Sequence, residues 1–323
     1  MSSIYSQIVI IGAGGFLGQA LSAYSLKKSA ELLCISRSFQ WNPEQYNQQA
    51  KINLIKTNVE DVENYSHLIK EKSVIVYMAG STNLNACQEK PADDLSHHVL
   101  ALTSFLKSIR CINISKIIFI SSGGAIYGEP INNTSRENDD CRPKSVYGLR
   151  NKILEDIICS LCAIYEKDFL ILRVANPVGV AQLSLKRRGL VMSLFSSCFN
   201  NEIVRIRSSG MQYRDYIYSQ DFSEFIFTIA SNKKFRMPPI LNICSGKSFN
   251  AHEVISLISM VTQKFPNVEF TEESYRGDVL HSCINNELLI KTLEGIDKPS
   301  LFLPLDKKIS NICIDLRQTC SLT

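Results

Sequence analysis

The run "IVIIGAGGFLG", residues 8–18, decides the fold. Its leading branched residues, Ile8 to Ile11, read as a short buried strand, and the glycines at 12, 15 and 18 stand where that strand gives way to a helix. Glycine permits the tight turn and lets a pyrophosphate come up to the backbone. The helix start offers unpaired N–H groups and the positive end of its dipole. At the first strand-to-helix junction of an alternating pattern, such a turn is a dinucleotide site.

The alternation continues outward. "ELLCIS" (31–36), "VIVYMAG" (74–80) and "KIIFISS" (116–122) are strand-like, with helical patterns such as 17–28 and 94–110 between them. "FLILRV" (169–174) and "PILNIC" (239–244) read as later strands of the same sheet. The expected fold is α/β: a Rossmann-type doubly wound parallel sheet with a smaller interleaved C-terminal substrate-binding lobe. Residues 1–175 form the expected NAD(P)-binding domain, to whose sheet the strand near 239–244 returns, and 176–323 form mainly the lobe. The polar stretches "SLKRRG" (184–189) and "RSSGMQYRDYIYSQD" (207–221) belong to the lobe.

Composition narrows the function. The chain has 323 residues, 45% of them hydrophobic, enough for a large core. Its net charge of +4 comes from 35 basic and 31 acidic residues without a basic block, which speaks against nucleic acid as a partner. The start lacks a basic leader and no run approaches the roughly 18 apolar residues of a membrane span, so a cytoplasmic protein is expected. Eleven dispersed cysteines fit reduced core positions. Cys159 and Cys162 make a CxxC inside a helical pattern, read as packing. His97 and His98 point to different faces of a helix, and no metal site is expected.

The second strand ends in "LLCISRS", with Ser36 and Arg37 where an NAD site usually carries a carboxylate for the ribose 2′-hydroxyl. Arginine there suits the 2′-phosphate of NADP, which favours NADP over NAD; the alternative is a solvated loop residue.

The GxxGxxG spacing, "SSGGAIYG" (121–128), "VYG" (146–148), "LRVANPVG" (172–179), "RDYIY" (214–218) and "RGDV" (276–279) occur in this order. Together they resemble the extended short-chain dehydrogenase/reductase family, in its nucleotide-sugar epimerase and dehydratase branch. The resemblance runs from Ile8 to about Leu303. It implies hydride transfer at a carbon of a nucleotide-diphosphate sugar, in surface polysaccharide precursor synthesis, by a homodimer. It implies that Gly12, Gly15, Phe16, Leu17 and Gly18 cradle the cofactor, that Asn58 and Val59 lie by the adenine, and that Ala79 and Gly80 line the cleft. It further implies that Asn176 contacts the sugar nucleotide while Arg214 and Arg276 grip its diphosphate, as planar guanidinium forks suit.

The family's acid/base tyrosine falls on Tyr147. A free tyrosine has a pKa of about 10, so a nearby cation must favour its ionised form. The family supplies a lysine four residues on and a Ser/Thr hydroxyl four before the tyrosine of the "YG" motif. Here Asn151 and Gly123 stand at those positions. Ser122 is the alternative hydroxyl, as catalytic group and substrate contact, and Asn151 is expected to reach the nicotinamide ribose. At about 100° per residue, Leu149, Ile153, Leu154, Ile157, Ile158 and Leu161 form one apolar stripe, with Tyr147 and Asn151 at its edge and Lys152 opposite. Lys152 therefore reads as solvated. A cation 4 Å from a phenolate is worth roughly 4 kcal/mol at an effective dielectric near 20, so its loss is a real deficit.

These departures leave two readings. One is an atypical epimerase or 4-keto reductase; a 4,6-dehydratase is disfavoured because Gly124 and Ala125 replace that group's acidic residues. The other is a catalytically impaired binding or regulatory protein.

Overall fold

The computed structural model describes residues 6–42, 51–80, 84–130, 134–184, 189–232, 237–273 and 277–320. β1 (Ile8–Ile11) runs into α1 (Phe16–Lys27), followed by β2 (Leu32–Ser36), β3 (Ile52–Lys56) and β4 (Val74–Tyr77). Helices α2 (Leu84–Glu89) and α3 (Pro91–Ser108) lead to β5 (Lys116–Ser122). The single turn α4 (Gly123–Ile126) and the long α5 (Val146–Ile164) lead to β6 (Phe169–Val174). Beyond them come β7 (Asn176–Val178), α6 (Gly189–Asn200), β8 (Val204–Ile206), β9 (Tyr213–Tyr218) and α7 (Ser219–Ser231). The chain continues through β10 (Ile240–Ile243), β11 (Ser248–Phe249), α8 (Ala251–Thr262), β12 (Val268–Phe270), β13 (His281–Ser282), α9 (Glu287–Gly295) and α10 (Leu305–Cys320).

Seven strands form one sheet in the order β3-β2-β1-β4-β5-β6-β10, every neighbouring pair parallel. Alternate residues of β1 serve opposite layers, which is why it is apolar throughout. Ile8 and Ile10 pack with Leu21, Phe222 and Phe225; Val9 and Ile11 pack with Phe105 and Ile158. Strand β3 is absent from the strands expected above, because it lies at the sheet edge and mixes Asn53 and Lys56 with its apolar residues, three of its five positions being exposed. The strand order reverses between β1 and β4, so a crevice opens beyond their C-terminal ends.

After β6 the chain alternates between this sheet and the lobe. Helix α7 packs on α1 and α9 on β10, so the return to the sheet involves more than one strand. The lobe is built on the β11-β9-β13 sheet, with β7 alongside β9 and a β12-β8 pair nearby. Its core gathers Val191, Phe195, Val254, Ile258, Ile309 and Ile312 from α6, α8 and α10. The two parts are fastened at Asp215 of β9, whose buried carboxylate accepts from Ser245 N (3.0 Å), Ser245 Oγ (2.7 Å) and Gly246 N (2.8 Å) in the segment after β10.

Among the described residues no helix is long and apolar enough to cross a membrane, and no group of three His, Cys, Asp or Glu stands close enough to hold a metal. Cys159 and Cys162 are free thiols packed in the core beneath α5.

Candidate active site

At the end of β1 the chain turns at Gly12, whose φ of 93° is a left-handed conformation. A Cβ there would lie 2.9 Å from Ala79 N and from the Met78 carbonyl group, so the turn presses against the backbone leaving β4. Helix α1 has no side-chain cap and no acidic residue in its first turn. Its N-terminal N–H groups face the crevice that Phe16, Leu17 and Gly18 line, an arrangement suited to a pyrophosphate.

The crevice is one continuous cleft of about 1410 Å³ running from this turn into the lobe. Of the residues expected at the site, Gly12, Gly15, Phe16, Leu17, Gly18, Ala79, Gly80, Ser122, Tyr147, Asn151, Asn176 and Arg214 line it. Arg37, Asn58 and Val59 do not. Arg37 and Asn58 are exposed; the Asn58 amide donates to Asp61 Oδ2 at 3.0 Å, and Val59 packs against the core. Arg276 lies outside the described residues, whereas its neighbours Gly277, Asp278 and Val279 line the lobe side.

Tyr147 sits in the first turn of α5, where Ser145 Oγ caps the helix by accepting from Gly148 N at 3.1 Å. A Cβ at Gly148 would lie 2.4 Å from the Ala125 carbonyl oxygen, so only glycine lets α5 begin this close to the strand-end loop. Asn151 Nδ2 donates to the Tyr147 carbonyl at 2.8 Å, which holds the amide against its own helix. Lys152 pairs with Asp156 one turn on, at 2.6 Å from Oδ2, and does not line the cleft.

Gly123 is buried and also absent from the cleft wall. A Cβ there would lie 2.6 Å from Ile284 Cδ1 and 2.8 Å from the Arg173 carbonyl oxygen, so a side chain at this position would point into the packing. Its neighbours Ser121, Ser122 and Gly124 all reach the cleft. Alternation along the strand would send Ser121 and Ser122 to opposite sides; here both border the crevice, where the sheet ends and α4 begins. Ser121 is 4% exposed, and its Oγ has no hydrogen-bond partner among the described residues, which leaves it available to a ligand.

A charged cluster that the sequence reading did not foresee stands beside Tyr147. Arg150 is 2% exposed and lines the cleft. Its Nη1 donates to both carboxylate oxygens of Asp94, at 2.9 and 3.1 Å, and its Cζ lies 4.9 Å from the centroid of the Tyr147 ring. His98 Nδ1 donates to the Asp94 carbonyl at 2.7 Å. Burial first, and the Arg150 charge second, lower the His98 pKa from 6.5, so the ring is neutral at pH 7. The available signal was the i, i+3 spacing of Tyr147 and Arg150 and the i, i+4 spacing of Asp94 and His98, each pair sharing a helix face.

On the lobe side, Asn176 Nδ2 donates to the Asp215 carbonyl at 2.8 Å. Arg214 borders the cleft and donates to the Tyr213 carbonyl (2.9 Å) and Gln212 Oε1 (3.0 Å). Burial lowers its pKa, against the opposing pull of Tyr216, Asp278 and Glu129 nearby. A half-buried guanidinium on the wall of a cleft is suited to an anion.

Residues 8–244 match the NAD dependent epimerase/dehydratase family. A putative UDP-glucose 4-epimerase of Methanocaldococcus jannaschii is 26% identical over 252 residues, covering 78% of this chain and 81% of that protein. A dTDP-4-dehydro-6-deoxyglucose reductase of Escherichia coli is 25% identical over 294 residues, covering 87% and 88%. The structure of the Thermus thermophilus UDP-glucose 4-epimerase complex with NAD superimposes with a TM-score of 0.80 at 20% identity, over 96% of this chain and 99% of that one.

Proposed function

This chain belongs to the NAD dependent epimerase/dehydratase family, and we propose that within it the protein is a nucleotide-sugar 4-epimerase working through Tyr147. The observation that carries the reading is the continuity of the cleft: the glycine turn, Tyr147 and Arg214 border one cavity. That continuity supports a cleft that takes a dinucleotide, an acid/base and a diphosphate together. A dinucleotide held by the turn at Gly12, Gly15 and Gly18 would supply the hydride acceptor and donor for the sugar carbon. Tyr147 removes the proton of the sugar hydroxyl and gives it back; Ser122, and Ser121 beside it, offer hydroxyls to the same region. Arg214 holds the diphosphate, with Arg276 as its partner by resemblance, and Asn176 orients the sugar.

Arg37 stands outside the cleft wall, and the Thermus structure carries NAD, so nothing supports the leaning towards NADP; NAD is the cofactor proposed here. An epimerase recycles NAD within one turnover, which favours it over a reductase. Gly124 and Ala125 offer no acid for a dehydration. Exposed apolar residues on the adjoining α3 and α5, Leu100, Leu149 and Ile164, support a homodimer through these helices. Gly123 and Asn151 favour the alternative, a sugar-nucleotide-binding protein without turnover.

The test is incubation with UDP- and dTDP-sugars and NAD, or NADPH for 4-keto sugars, followed by NMR of the sugar protons. Interconversion of C4 epimers with NAD supports the proposal. Consumption of a 4-keto sugar alone makes the protein a reductase, and binding without conversion of any sugar makes it the regulatory alternative.

A further inference from the structure

Asn151 leaves Tyr147 without the cation that its chemistry calls for, yet a buried cation stands against the tyrosine from another position. Arg150 lies three residues on, facing the same side of α5, with its guanidinium carbon 4.9 Å from the ring centroid. Asp94 engages Nη1, and a Cβ on Gly80, which also lines the cleft, would lie 3.5 Å from Nη2. A cation over an aromatic face is drawn to a neutral phenol by the ring quadrupole and to a phenolate by its full charge, so it favours the ionised form. Arg150 is buried and Tyr147 half-buried, so salt screens that field less than it would at a fully exposed site.

We propose that Arg150 supplies the positive charge that Asn151 does not, and that Asp94 is the positioning residue that holds it over Tyr147. This rests on Tyr147 being the acid/base of the proposed function. Among the described residues the other titratable groups facing this corner are His98 from α3, neutral at pH 7, Cys87 from α2, whose Sγ lies 3.7 Å from Nη1 and whose thiol burial pushes up, and Tyr77 of β4, which burial keeps protonated. Arg173 of β6 and Glu155 of α5 are paired with each other at 2.8 Å. The charge at this corner is thus that of Arg150 and Asp94.

The experiment compares the full-length protein with Arg150→Met, Arg150→Lys, and Arg150→Met combined with Asn151→Lys, by kcat and KM against pH. It also titrates the phenolate absorbance of cofactor-free protein, with Tyr147→Phe as the blank. Arg150→Met is expected to lower kcat by about 100-fold with KM within a factor of about three, and to move both the kcat profile and the Tyr147 titration upward by about one to two pH units. Arg150→Lys retains part of the rate, and Asn151→Lys restores most of it to the Arg150→Met protein. A phenolate titration unmoved by Arg150→Met overturns the proposal and leaves Arg150 as a tie between α3 and α5. Failure of Asn151→Lys to restore either readout in folded protein overturns it too. Where Arg150→Met alone does not fold, adding Asp94→Asn removes the buried unpaired carboxylate, and the same titration is read on the double variant. If the native protein converts no sugar, the proposed function fails by itself, and the phenolate titration still decides the role of Arg150.

Discussion

The strand-end loop turns on Gly123. A hydroxyl cannot be put back there by substitution, because the Arg173 backbone and Ile284 occupy the space a Cβ would need. Gly123→Ser is expected to cost about 1–3 kcal/mol of stability without raising turnover. The check is the urea midpoint together with kcat; a faster enzyme with an unchanged midpoint would show that the loop accepts the hydroxyl. The identity of Tyr147 as the acid/base candidate, and the absence of its usual partners, were legible from residue types and spacing alone. The orphaned Ser121 hydroxyl was not, since which of two adjacent serines borders a cleft depends on where the strand stops.

Helix α5 shows what an element's period can and cannot disclose. The 100° step sends Lys152 away from the apolar stripe, and the structure pairs it with Asp156 on the outside. Lys152→Ala should therefore leave kcat within a factor of about two and change stability by no more than about 0.5 kcal/mol, as for an exposed i, i+4 pair; a tenfold loss of rate would bring Lys152 back into the mechanism. The inner face behaves differently. Arg173 Nε and Nη2 reach Glu155 at 2.8–3.2 Å, and Arg173 Nη1 donates to Tyr127 Oη at 2.9 Å. Tyr127 Oη in turn donates to Asn242 Oδ1 at 2.7 Å, so α5, β6 and β10 are joined through buried groups. Removing one partner strands the other's charge: Glu155→Leu is expected to cost about 3–5 kcal/mol, measured by chemical denaturation, and a cost below about 1 kcal/mol would refute the network's importance. The period cannot disclose Arg150's setting, because its partner Asp94 comes from α3, 56 residues earlier.

For the molecule as a whole, the parallel sheet was legible because its strands are buried on both faces and so carry uninterrupted apolar runs. The edge strand β3, half exposed, carries no such run. The repeated return of the chain to the sheet in α7 and α9 was also beyond reading, since an amphipathic helix does not announce which of two cores it will cover. The joint between sheet and lobe at Asp215 has its own pH signature. Burial raises that carboxyl from 3.8 to about 7, although three donors pull it the other way. A raised carboxyl pKa means the folded protein holds its proton more tightly than the unfolded chain, so this stabilisation is present below about pH 4 and is lost as pH rises through about 7. The stability of the native protein relative to Asp215→Asn should fall between pH 4 and pH 7 by up to about 4 kcal/mol, read from denaturation midpoints. A difference independent of pH would mean that the three donors keep Asp215 ionised throughout.

In the proposed function one cleft would bring a dinucleotide and a sugar nucleotide to Tyr147, which would move the proton. The native protein and Tyr147→Phe are to be compared for sugar interconversion by NMR and for cofactor affinity by calorimetry. Loss of the phenolic hydroxyl is expected to lower turnover by at least about 100-fold while cofactor affinity stays within a factor of about three. Equal turnover by the two proteins would contradict the proposed function.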